Sequence, residues 1–128
     1  MVSKTAMENQ QTILETLFLH SVIMKMYHFQ TKLYGAHKTV DSYLSTFMGS
    51  FDNFMEVSQG TFNTVTANSF NLNIKTVNDR TVDQYLVEYL TFLDSFDTML
   101  GKGHTDLLNI RDEMKAGANQ LRYLLRFK

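Results

Sequence analysis

The sequence predicts an all-α protein, one domain over residues 1–128, built as a bundle of four helices with a long crossover between the second and the third. Three observations carry this. The chain contains no Pro, which suits long helices. Four stretches place apolar residues at three- and four-residue steps, the spacing of a helix face. Two of the connections are short, and one, Gln59–Asp79, is long. The apolar fraction of 44% is enough for one ordinary core in a chain of this length.

The first helix is expected over about residues 8–32, with Ile13, Leu14, Leu17, Phe18, Ile23 and Met24 facing inward. Gly35 separates it from the second, at about 37–58, whose apolar stripe is Val40, Leu44, Phe47, Met48, Phe51, Phe54 and Met55. The third spans about 81–100. Thr81 and Gln84 have capping-box spacing at its start, and Gly101 and Gly103 end it. Val82, Tyr85, Leu86, Leu90, Leu93, Phe96 and Leu100 form its stripe. The fourth spans about 105–127, with Leu107, Ile110, Met114, Ala118, Leu121, Leu124 and Leu125 inward. Arg122, Arg126 and Lys128 complement the dipole at its end.

Gln59–Asp79 is rich in Asn and Thr and reads as non-helical; Phe70, Leu72 and Ile74 alternate with polar residues, as in a short extended piece. So long a connection in a compact domain demands a reason. Parallel second and third helices supply it, because the chain must return along the whole bundle. A helix of about 22 residues is about 33 Å long, and about twenty extended residues reach roughly 66 Å. The short connections make helices one and two antiparallel, and likewise three and four. This is the ferritin-like topology.

Composition excludes several function classes. With no Cys there is no disulfide, thiolate nucleophile or Cys-based metal site. A net charge of −1 gives no basic footprint for strong binding to nucleic acid or acidic membranes. The most apolar run, Leu17–Met24, is too short to span a bilayer and is interrupted by His20 and Ser21. Met1–Gln11 is polar and lacks a secretory apolar region. These features predict a soluble intracellular protein.

The second helix carries His37, Asp41, Asp52 and Glu56. Relative to His37 they lie at about 0°, 40°, 60° and 100° around the axis, one polar stripe on an otherwise apolar helix. Imidazole with carboxylate suits Fe(II), Mn(II) or Zn(II). Yet His37 and Asp52 are about 22 Å apart along the axis, so one chain cannot bring both to one metal. A two-fold axis crossing the helix near Ser45 would lay an antiparallel copy beside it. His37 of one chain would then face Asp52 and Glu56 of the other, twice per dimer. His28, just before the turn, can join His37.

The stretch Tyr27-His28-Phe29, then Tyr34-Gly35-Ala36-His37-Lys38-Thr39-Val40-Asp41, then Asp52-Asn53-Phe54-Met55-Glu56 resembles the ferroxidase motif of Dps mini-ferritins. The steps from His37 to Asp41, Asp52 and Glu56 follow that family's spacing. The compact form, with His28-Phe29-Gln30-Thr31-Lys32 and a Glu56-Val57-Ser58-Gln59-Gly60 ending, is similar to small Dps-related proteins of phages and large DNA viruses. The resemblance implies iron at a di-iron site shared between subunits, with Zn or Mn as substitutes. It implies oxidation of Fe(II) by O₂ or H₂O₂, for iron sequestration or protection against oxidative stress. His28, His37, Asp52 and Glu56 would carry the chemistry, and Asp41 would help hold metal. It also implies a homo-oligomer, from a two-fold dimer up to a dodecameric shell. The lysine-rich tail of DNA-binding members is missing. No Glu is followed by His three residues later, so an intrasubunit di-iron centre is not expected.

The alternative is a structural or interaction protein, for example a virion component, that keeps the fold without the chemistry. Outside the stripe, His20 reads as a core or interface histidine and His104 as an exposed helix-end residue. Tyr27 and Tyr43 read as packing, and Met24, Met26, Met48 and Met55 as flexible filler.

Overall fold

Helix boundaries follow the local supply of hydrogen bonds. The computed structural model describes residues 2–128. The Ser3 side chain accepts from the Ala6 N–H at 3.1 Å and starts α1, Lys4–Gln30, ahead of the expected boundary. The turn is Thr31–Leu33, closed by the Thr31 N–H on the Tyr27 carbonyl (2.8 Å) and the Leu33 N–H on Thr31 Oγ1 (3.2 Å). Helix α2 then runs Tyr34–Thr61, so Gly35 lies in its first turn and does not separate the helices as expected.

The crossover contains no strand; nor does any other part of the described residues. The expected extended piece is irregular, although Phe70 stacks on Phe18 with ring centroids 6.0 Å apart. Helix α3, Val82–Asp94, is not started by the expected capping box, since Thr81 makes no side-chain cap bond. Asn78 does that work: its Oδ1 accepts the N–H groups of Arg80 (2.9 Å) and Thr81 (3.1 Å). The expected third helix breaks at Ser95, and its remainder is the short α4, Phe96–Leu100. Gly101 and Gly103, at φ 75° and 90°, end it as the sequence indicated. Helix α5 is Thr105–Leu124, followed by a 3₁₀ turn at Leu125–Phe127.

Contacts at the helix ends fix the directions. Gln10 Nε2 donates to the Asn63 carbonyl (3.0 Å), so the start of α1 meets the end of α2. Phe62 packs on His104 (5.1 Å), and Gly35 lies against Lys128, so α2 and α5 are antiparallel. Arg122 to Asp83 and Lys115 to Asp94, each 2.8 Å, make α3 and α5 antiparallel. Helices α2 and α3 therefore run parallel, and the crossover travels the length of the bundle. Its far end is tied to α1 by Asp79, whose Oδ1 accepts from Tyr27 Oη (2.8 Å) and Thr31 Oγ1 (2.6 Å).

The core joins all the helices and contains most of the expected stripes. Phe18, Met48 and Leu124 depart from expectation by being exposed, while Tyr89 is buried in addition. Phe18 points to the crossover, edge-on to Phe51 at 4.9 Å. No helix among the described residues is long and apolar enough to cross a membrane.

Arg111 is a buried charge near Ser95. Its Nη1 donates to the Leu93 carbonyl (2.8 Å), beside the break. Its guanidinium also holds Asp97 (3.2 and 3.3 Å) and Asp112 (2.8 Å). Arg111→Ala removes these charge-assisted bonds. It should cost about 2–3 kcal/mol in chemical denaturation; an unchanged midpoint would contradict this role.

Candidate functional site

Because the α1–α2 turn is three residues long, the last turn of α1 and the first of α2 face one another. That brings His28 and His37 together. Nδ1 of His28 lies 2.8 Å from the carbonyl oxygen of His37, and Nδ1 of His37 lies 2.8 Å from the carbonyl oxygen of His28. A carbonyl oxygen only accepts, so each Nδ1 carries a proton and donates. The rings stack with centroids 4.0 Å apart and planes 14° apart. In its neutral form each imidazole therefore has a lone pair on Nε2. Histidine ligands are oriented in this way, by a backbone acceptor on the other nitrogen.

His28 Nε2 lies 4.0 Å from Asp41 Oδ1, with His28 buried and Asp41 exposed. Phe29 and Tyr34 flank the pair, with ring centroids 5.4 Å from His28 and 6.4 Å from His37. Thus three of the five sequence-predicted residues, His28, His37 and Asp41, come together. Asp52 and Glu56 do not: they are exposed farther along α2, with Ser45 and Met48 between. Among the described residues, no three His, Cys, Asp or Glu side chains are arranged to hold a metal ion within one chain. Beside the exposed stripe, α1 and α2 leave an open groove of about 520 Å³. Val22, Met26, Leu44 and Met48 supply its apolar lining, and Ser21, Lys25, Asp41 and Ser45 its polar part.

Sequence reasoning missed two features. One is the reciprocal backbone lock of the histidines, which no spacing rule encodes. The other is a polar network inside the bundle. His20 is almost wholly buried, and its Nδ1 and Nε2 lie 2.6 Å from Tyr85 Oη and 2.7 Å from Tyr43 Oη. It also stacks on Tyr89 at 3.6 Å. Burial lowers its pKa to about 3 and pushes the Tyr43, Tyr85 and Tyr89 phenols upward. The available signal was the placement of His20 between Leu17 and Met24 on the inward face of α1, opposite helices that carry tyrosines in their stripes. Asp79 is ionised below the usual carboxylate range, chiefly because Thr31 donates to it.

The model of a family of unknown function, DUF5856, matches residues 28–125. The chain belongs to that family. The matched span opens at His28 and includes His37, Asp41, Asp52 and Glu56. No curated protein and no solved structure matches the chain.

Proposed function

We propose that this DUF5856 member is a Dps-like mini-ferritin, which binds Fe(II) as substrate at two sites shared across a two-fold dimer and oxidises it for iron sequestration or oxidative-stress protection. The observation that carries this reading is the reciprocal Nδ1 lock of His28 and His37. Its two hydrogen bonds hold each ring with one lone pair on Nε2, that of His28 lying 4.0 Å from the Asp41 carboxylate. A ferritin-like topology is supported by parallel α2 and α3 and by the crossover that joins them. His28 and His37 would bind Fe(II) from one subunit, and Glu56 of the other chain would ligate or bridge, with Asp52 beside it. Asp41 would hold a second, weaker ion directly or through water. Carboxylate and imidazole also accept Zn(II) or Mn(II). With H₂O₂ as oxidant, two Fe(II) and two protons give two Fe(III) and two waters.

The second copy is argued from α2 itself. Asp41, Ser45, Met48, Asp52 and Glu56 are all exposed on one side of it. The open groove between α1 and α2 lies next to them. The incomplete set of ligands in a single chain is what a shared site requires. The same incompleteness favours the second reading, a structural or interaction protein of this fold.

Anaerobic Fe(II) titration followed by exposure to O₂ or H₂O₂ separates the two. The mini-ferritin reading expects saturable Fe(II) binding and near-ultraviolet absorbance rising faster than in a protein-free blank. A rate equal to the blank with both oxidants would leave the structural reading.

A further inference from the structure

The network around His20 has a connectivity that packing alone does not require. Neutral imidazole has one N–H and one lone pair. One of its two tyrosine partners must therefore donate to it, and the other must accept from it. Tyr43 and Tyr85 are thus joined through the ring in a continuous hydrogen-bonded chain, 2.7 and 2.6 Å long at its two steps. The two ends differ: Tyr43 is buried, whereas Tyr85 is partly exposed. The chain of bonds runs from a buried residue to a partly exposed one. All of its buried side-chain nitrogen and oxygen atoms have partners.

Tyr43 has a second neighbour of a different kind. A groove of about 240 Å³ between α2 and α5 opens onto it, over Phe47, Met114 and Leu121. Gly117 lies beside the Tyr43 ring, where a Cβ would make ordinary contact at 3.8 Å. The phenol oxygen is turned toward His20, and the ring is reached from the other side.

We propose that Tyr43, His20 and Tyr85 form a one-electron redox site, with Tyr43 as the residue oxidised and the other two as the path that carries its proton to solvent. A phenol that loses an electron becomes strongly acidic, so oxidation is eased wherever a base already accepts its O–H. With His20 protonated on Nδ1, Tyr43 Oη–H donates to its Nε2. On oxidation that proton moves to Nε2, the Nδ1 proton moves to Tyr85 Oη, and the Tyr85 hydroxyl proton leaves to water. His20 changes tautomer and stays neutral, so no imidazolium is created in the core. The balance is one electron to the oxidant, one proton to solvent and a neutral phenoxyl radical on Tyr43. The partner is a strong one-electron oxidant, of the class that peroxide generates or that a photosensitiser supplies. The site shares no residue with the proposed iron site, and Tyr43 lies about 200° around α2 from Asp41.

The test uses metal-free, full-length protein with photogenerated Ru(III) tris-bipyridyl, which takes the electron and returns to Ru(II). Freeze-trapped electron paramagnetic resonance should show a neutral tyrosyl radical that outlasts those of the exposed Tyr34 and Tyr123. Protein labelled with ¹⁵N-histidine should show coupling of that radical to a histidine nitrogen, because Tyr43 and Tyr85 bond the same ring and no other tyrosine hydroxyl bonds a histidine among the described residues. This measurement needs no substitution in the core. Tyr43→Phe should remove the long-lived signal, and Tyr85→Phe should lower its yield severalfold. A wild-type signal with no histidine coupling, or one unchanged by Tyr43→Phe, would overturn the proposal. Both readouts are made without iron, so failure of the iron reading leaves them standing, and their failure leaves the iron reading untouched.

Discussion

Mixing His37→Ala chains with Glu56→Ala chains is expected to restore iron oxidation that neither carries alone. Each variant by itself breaks both sites of its dimer, because every site would draw His37 from one chain and Glu56 from the other. Loss of a ligand should slow oxidation about 10-fold or more, since even residues that only orient a ligand are worth 10- to 100-fold. His37 and Glu56 are not in the hydrophobic core, so helicity should survive. In a hybrid dimer one site lacks both residues and the other lacks neither. A hybrid therefore keeps about half of the wild-type sites, and an equal, fully exchanged mixture about a quarter. Activity that stays at the single-variant level after mass spectrometry has shown subunit exchange would rule out a shared site. Equal rates in wild type and both variants would rule out these ligands.

His20→Leu should be among the most destabilising substitutions in the chain. Leucine fits the volume but neither donates nor accepts, so the hydroxyls of Tyr43 and Tyr85 each lose a partner. A buried unsatisfied group costs about 1–3 kcal/mol. Tyr43 is left buried without that partner, while Tyr85 is partly exposed and can turn to water, so Tm should fall by about 5 °C or more, given a total stability of about 5–15 kcal/mol. The pH dependence carries a second signature. Burial holds the folded His20 pKa near 3, against 6.5 for the free side chain. Between these values the unfolded chain binds a proton at His20 and the folded chain does not. This contribution to stability is therefore complete above about pH 6.5 and is lost as pH falls toward 3. The slope approaches about 1.4 kcal/mol per pH unit once the free side chain is protonated. Denaturant titrations between pH 4 and 7 should show it in wild type and show a shallower slope in His20→Leu. Parallel slopes in the two proteins would contradict neutral burial of His20.

The helix count and the long crossover were legible because each rests on a local signal, apolar periodicity or loop length. Boundaries were less so. Gly35 is an ordinary turn signal, but Thr31 supplied the turn chemistry first, and α2 simply absorbed the glycine. Thr81 and Gln84 had the spacing of a capping box, but Asn78 captured the N–H groups of Arg80 and Thr81. The break at Ser95 is accompanied by Arg111, a residue 16 positions later that donates to the carbonyl of Leu93. Phe18 obeys the period of its helix, yet it faces the crossover, whose path no periodicity reports. At the candidate site, spacing brought out His28, His37 and Asp41 as neighbours. The backbone bonds that fix their tautomers arise only when two helix ends meet. Asp52 and Glu56 lie apart from these three, farther along α2, and only a second copy would bring them to the same metal.

If two α2 helices cross antiparallel near Ser45, a cysteine placed there will cross-link to its own copy, and Ser45→Cys is the variant to make. Ser45 is exposed, and the chain has no cysteine of its own, so any disulfide must join the two new thiols. On the two-fold axis each Ser45 would face its own copy, within reach of the roughly 4.4–6.8 Å Cα separation that a disulfide needs. Glu88→Cys, exposed on α3, provides the control. Under mild oxidation at low protein concentration, Ser45→Cys should convert rapidly and almost completely to covalent dimer, while Glu88→Cys remains largely monomeric on a denaturing gel. Ser45→Cys that cross-links no faster than Glu88→Cys would contradict the shared site.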